Sequence, residues 1–143
     1  MPAVDHLRPV PVPDASSAGF WLAAADHRLV VQRCTGCGWL SYPPEITCSR
    51  CLTTRPLFEW QTVSGRGTLR SWTVVHTAFL PGFAPYLPYV VAAVELAEQP
   101  GLRLFARLVD APETGLIYGA PVETIFEDVA DGVAVPVIRL LGS

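Results

Sequence analysis

The sequence predicts a mainly β chain: an N-terminal arm with one short helix, a small cysteine ribbon, then a closed barrel of five to six strands. Three observations predict it. All four cysteines fall between residues 34 and 51, as two CxxC pairs separated by Gly38 to Thr47. One segment alone has helical spacing, and after Cys51 strand-length apolar runs alternate with glycine- and proline-marked turns. Strands of this length without a second helix suit a small closed barrel better than a parallel α/β sheet. The expected divisions are 1–31 for arm and helix, 32–60 for the ribbon and 61–143 for the barrel.

Each element has its own cause. In "RPVPVPD" proline alternates with apolar residues, which favours an extended arm that needs a surface to lie on. "SSAGFWLAAADHRLV" is alanine-rich, offers Asp14 and serine for an N-cap, and places Phe20, Ala23 and Ala24 on one face, so a helix ends near Asp26 to Arg28. "RLVVQRC" then has strand character and delivers Cys34. Beyond the ribbon, "PLFEWQTVSGRGTLRSWTVVHTAF" alternates as strands do, with a bulge or sharp bend expected at the glycines of 64–67. "LPGFAPYLP" at 80–88 is an aromatic, proline-rich loop. Strands follow at 89–96, 103–110, 120–129 and 133–141.

The ribbon lies next to a small barrel, an arrangement often met in nucleic-acid binders, but the charge argues against that partner. All ten basic residues are arginine, they are scattered, and the formal net charge is -3. Phosphate-backbone binding requires concentrated positive charge. The nearest approach to a basic patch, Arg66 and Arg70 with Arg50 and Arg55 upstream, is flanked by Glu45 and Glu59. Although the composition is 50% hydrophobic, no apolar run approaches the roughly 20 residues of a membrane span. The N-terminus has Asp5, Arg8 and prolines where a signal peptide needs an apolar core, so a cytoplasmic, reducing location is expected.

In that setting the cysteines read as thiolate ligands. Each CxxC turn presents two sulfurs to one ion, Gly36 and Gly38 ease the turn around Cys37, and Pro43-Pro44 redirects the chain so that Cys48 and Cys51 face Cys34 and Cys37. Four thiolates leave no open coordination position, which points to structural zinc in a rubredoxin-like ribbon. Iron accepts the same tetrahedral sulfur set.

A catalytic constellation is not legible. His6 lies in the arm, and His27 at the helix end is expected to meet terminal carbonyls. His76, closing "SWTVVH", is the histidine placed to point into a ligand channel, although a structural role is the simpler one. Glu123 and Glu127 read as the wet face of a strand. Phe79, Phe83 and Tyr86 crowd the proline-rich loop, and Phe20-Trp21 sit on the helix. They suit either core packing or an apolar surface for a protein partner or an acyl ligand.

The succession "FW" in a helix, "LVVQRCTGCGWLSYPPEITCSRC", "SGRGTLRSWTVVH" and "GAPVETIFEDVADGVAVPVIRL" resembles the DUF35 family of zinc-ribbon and OB-fold proteins, from about Pro11 to Leu141. The resemblance implies an OB-type barrel, structural Zn2+ on Cys34, Cys37, Cys48 and Cys51, and a hetero-oligomer with a thiolase-superfamily enzyme acting on CoA thioesters. Such partners include thiolases, acyltransferases and the lipid-transfer-protein-like aldolases that shorten steroid side chains. It further implies a non-catalytic accessory role, with the CoA thioester as ligand of the complex. An enoyl-CoA hydratase subunit, present in some steroid-pathway relatives, would here be a separate polypeptide. By position, Arg66 or Arg70 is expected to meet a CoA phosphate. Trp72, His76, Phe79, Phe83, Phe20 and Trp21 are expected to line the substrate passage or an interface. A nucleic-acid-binding ribbon, or an enzyme using His76, are the competing readings.

Overall fold

The computed structural model describes residues 8–53 and 57–141. His6 and Arg55 lie outside the described residues. The chain runs α1 (Ala18–Ala25), β1 (Val30–Cys34), β2 (Leu40–Ser41), β3 (Phe58–Thr62), β4 (Arg66–Val75), a 3₁₀ segment (Pro81–Tyr86), β5 (Tyr89–Leu96), β6 (Arg103–Leu108), β7 (Pro121–Ala130) and β8 (Val133–Leu140).

Helix α1 buries Phe20, Ala23 and Ala24, the face given by helical spacing. Its start departs from the simple cap. Ser17 occupies the cap position without a side-chain bond into the helix. Instead Asp14 Oδ1 accepts from the Ser17 N–H at 2.9 Å and from the Ser17 hydroxyl, closing the preceding turn. These bonds lower the Asp14 pKa, the Ser17 hydroxyl foremost. The helix ends in a Schellman motif: the Arg28 N–H reaches Ala23 O at 2.9 Å and the His27 N–H reaches Ala24 O at 2.8 Å, with His27 at φ 57°. The His27 ring does not turn back to the helix carbonyls. It stacks on Phe126 and meets Asp128 Oδ1 at 2.8 Å, because the left-handed residue swings its side chain out of the helix.

Strand β1 is the middle of a three-stranded antiparallel sheet, β2-β1-β3. The barrel is closed in the order β4-β5-β6-β8-β7 and back to β4, antiparallel except where β6 meets β8. Counted within the barrel this is 1-2-3-5-4-1, the five-stranded Greek-key closure of an OB fold. Its interior takes alternate residues: Val90, Ala92, Val94 and Leu96 of β5 against Leu104, Ala106 and Leu108 of β6. Leu69, Val122 and Ile138 complete the lining. Leu29, Val30 and Val31 from the ribbon and Phe20 from the helix belong to the same apolar cluster. Ribbon and barrel therefore share one core, and each fully buried Leu, Ile or Val contributes about 1.5–3 kcal/mol to holding them together.

Two glutamine side chains act as substitute strands. Gln32, buried, donates to Glu45 O at 3.0 Å and accepts from the Glu45 N–H at 2.8 Å. Gln99, in the β5–β6 turn, does the same for Leu40, at 2.8 and 3.0 Å. Leu40 of β2 is thereby satisfied from the barrel and Glu45 from β1, and the Gln99 bonds tie the ribbon's orientation to the barrel.

The arm also finds its surface. The Arg8 guanidinium lies over the rings of Phe83 and Tyr86 and pairs with Glu127 at 2.7 Å, while Arg107 meets Glu127 at 2.8 Å and covers Tyr86 from its own side. Glu127 is thus not simply on a wet face: it bridges two arginines. Glu123 likewise pairs with Arg139.

Candidate functional site

The hairpin between β1 and β2 carries the first cysteine pair, and the turn after Pro44 brings the second opposite. All four sulfurs lie within 4.8 Å of one another. Cys34 and Cys51 are 3.9 Å apart and Cys37 and Cys48 3.6 Å. A tetrahedral ion with metal–sulfur bonds of about 2.3 Å requires sulfurs about 3.8 Å apart, so this is a four-cysteine metal-binding site. Cys34 and Cys48 are buried and Cys37 and Cys51 exposed, which puts the site at the ribbon's tip with one side against the protein.

Backbone N–H groups prepare the sulfurs. That of Cys51, followed by that of Arg50, lowers the Cys48 pKa to about 7. The Trp39 N–H lowers that of Cys37, but desolvation and the three neighbouring thiols outweigh it and push it up to about 11. A shared dication turns the mutual repulsion into a common attraction and releases the protons.

The two knuckles are near copies. Gly38 N–H bonds to Cys34 O at 2.7 Å, and Leu52 N–H to Cys48 O at 2.9 Å. Both residues follow the second cysteine of their pair and both are left-handed, Gly38 at φ 79° and Leu52 at φ 60°. Glycine is at ease there; leucine is strained by about 1–2 kcal/mol. Leu52 is 71% exposed and packs on little. Leu52→Gly is therefore expected to stabilise the protein by about 1 kcal/mol, read as a rise of about 2–4 °C in Tm with metal content unchanged. A fall in Tm would show that the exposed leucine does more than fill a turn.

The remaining expected site residues scatter over the barrel and helix. Arg70 sits at a bulge between Leu69 and Ser71. Its guanidinium donates to the Tyr118 hydroxyl and pairs with Glu95 at 3.1 Å, and the Tyr118 bond raises its pKa further. Arg70 is committed within the chain. Arg66, at the other end of the same run, is exposed and makes no ion pair among the described residues. Trp72 is in register with Ala92, hence on the barrel's inner side, yet remains 36% exposed because β7 pairs with β4 only as far as Thr68. His76, one residue beyond β4, is exposed, and Phe79 is 91% exposed. Phe83 packs with Tyr86, Tyr89 and Arg8.

Phe20 corrects an expectation. It is 3% exposed, edge-on to Trp21 and against Tyr42, in the core where α1 meets the ribbon and barrel, so it offers no interface. Trp21, half-buried, lines an apolar cavity of about 250 Å³ with Pro11, Leu22 and Val133. Sequence reasoning missed the cluster of Arg8, Tyr86, Arg107 and Glu127, three of which border a cavity of about 320 Å³. Nothing local links residues so far apart.

The family model described as "ChsH2, rubredoxin-like zinc ribbon domain" matches residues 21–56, and "ChsH2, C-terminal OB-fold domain" matches residues 60–127. A "Probable enoyl-CoA hydratase alpha subunit" of Thermomonospora curvata is 37% identical over 93% of this chain, which spans 40% of that protein's length. A "DUF35 domain-containing scaffold protein" of Methanocaldococcus jannaschii is 35% identical, over 73% of this chain and 74% of its own. Among solved structures, a chain of "Ltp2-ChsH2(DUF35) aldolase" superposes with TM-score 0.79 at 32% identity, covering 92% of this chain and 99% of that one. With the four-thiolate ribbon and the OB closure both matched, the chain belongs to the DUF35 family of zinc-ribbon and OB-fold proteins.

Proposed function

We propose that this chain is a non-catalytic accessory subunit that binds a thiolase-superfamily enzyme and helps accommodate an acyl-CoA thioester. The most attractive specific reaction is retro-aldol cleavage of a steroid side-chain CoA thioester. The observation that carries the reading is the likeness, over 99% of its length, to a chain whose structure is named for an aldolase formed by Ltp2 and a DUF35 module. The ion is zinc, held by Cys34, Cys37, Cys48 and Cys51. When bound it supplies structure and no reaction step, since four thiolates complete its coordination. The chain's own residues then have positional work: α1, Gln32 and Gln99 fix the ribbon to the barrel, and the rim residues Trp72, His76 and Phe79 stand where a partner or acyl chain would meet them. Of the two arginines proposed for a CoA phosphate, Arg66 is the better candidate, because Arg70 is engaged by Glu95 and Tyr118.

The name of the hydratase relative belongs to a protein that extends well past the aligned stretch, so hydratase chemistry is not carried over to this chain. The test is affinity purification of the tagged chain from its native cells, with stoichiometric partners identified by mass spectrometry. A thiolase-fold protein in near-equal amount is expected. Recovery of nucleic acid, or of the chain alone, would overturn the reading.

A further inference from the structure

The outer edge of β4 is paired only over its first part. Arg66, Gly67 and Thr68 face β7, and Leu69 exchanges backbone bonds with Gly119 and Ala120. The Tyr118 contact then engages the Arg70 side chain. From Ser71 to Val75 the strand is paired with β5 alone among the described residues. Ser71, Trp72 and Thr73 are consecutively exposed, so both faces and the edge of the strand are open there.

Free edges are normally guarded by a charge, a proline or a bulge, and this one has only the bulge at its start. From Ser71 to Val94 the sequence holds no Asp, Glu, Lys or Arg. That charge-free stretch covers the β4 tip, the β4–β5 loop and most of β5, in a chain that is 16% charged overall. The Arg70 bulge re-aims the strand at the point where intrachain pairing stops. An unpaired ladder of N–H and C=O groups accepts an extended backbone, and a setting without charges offers a charged strand no ion-pair partner, which favours an uncharged one.

We infer that Ser71 to Val75 receives an extended, uncharged strand of the thiolase-fold partner, added to the sheet beside β5. This rests on the accessory-subunit reading and adds the surface through which it is realised. Trp72, on the inner side of the sheet at this open end, then packs beneath the added strand.

The test is amide hydrogen exchange over residues 70–76, in the free chain and in the complex reconstituted with the thiolase-fold protein co-purified from native cells. Alternate amides should exchange freely in the isolated chain and slow by roughly a hundredfold or more in the complex. Ser71→Lys/Thr73→Lys, both on the exposed outer face, should keep the fold by circular dichroism and weaken complex formation by roughly a hundredfold. Ile46→Lys, 81% exposed on the ribbon, should leave it unchanged. If a complex forms and these amides stay unprotected, the strand inference falls while the accessory reading stands. Should the wild-type chain bind no thiolase-fold protein, both fall. Concentration-dependent protection in the isolated chain would assign the edge to a second copy instead and overturn the proposal.

Discussion

Replacing Cys48 with serine is expected to reduce bound metal to less than about a tenth of an ion per chain and to unfold the ribbon. Cys48 is wholly buried, and its sulfur receives the backbone donors of the second knuckle. The stretch between the pairs has no core of its own: β2 is two residues long, Ile46 points to solvent, and what else holds it is the Gln32 and Gln99 bonds and the packing of Leu40 and Tyr42 on the shared core. The ion stands in for a core, and structural zinc sites in small peptides contribute about 10–16 kcal/mol. Serine is a poor ligand for a soft site, so most of that contribution disappears. Unfolding does not stop at the ribbon, because Val30 and Val31 of β1 lie in the core shared with the barrel. Stability should fall by about 3 kcal/mol or more, with exchange protection lost first across β1 and β2 and complex formation weakened in step. A chelator added to the wild type should reproduce the effect. Full metal and undiminished partner binding in Cys48→Ser would contradict the assignment.

What could be read in advance was local. The CxxC spacing gave the ligands because each pair is closed by a four-residue turn. The helix face at Phe20, Ala23 and Ala24 followed from periodicity, and the strands from alternation and punctuation. Contacts between distant segments were illegible. Arg70 looked available for phosphate because its partners, Glu95 and Tyr118, are set by barrel closure. Phe20 suited core and interface alike because a helix of eight residues has no interior of its own, and its docking on β1 and β8 decides for the core. Glu127 read as solvated because Arg8 and Arg107 reach it from separate elements.

The glycines of "SGRG" were read as permission for a bend, and the structure gives them two different tasks. Gly65 takes a left-handed φ of 81°, whereas Gly67 is required for closeness. Gly67 pairs with Leu96 of β5 on one side and Val122 of β7 on the other, at the seam where the barrel closes. A Cβ there would lie 2.1 Å from Glu95 O and 2.9 Å from its carbonyl carbon. Both are backbone atoms, and no rotamer change relieves them. Either β4 moves away from β5 or the closure onto β7 opens. Gly67→Ala is therefore expected to cost about 3 kcal/mol or more, seen as a large drop in the urea midpoint. Gly36→Ala, whose Cβ would meet only Cys34 Sγ at 3.7 Å, should stay within about 0.5 kcal/mol. A midpoint for Gly67→Ala equal to that of the wild type would mean that the seam is loose. The consequence reaches function, because the same seam determines where β4 leaves β7 and begins its open edge. A barrel that cannot close at Gly67 cannot present Ser71 to Val75 in a fixed place, so partner binding should fall in this variant even under conditions where most of its strands remain formed.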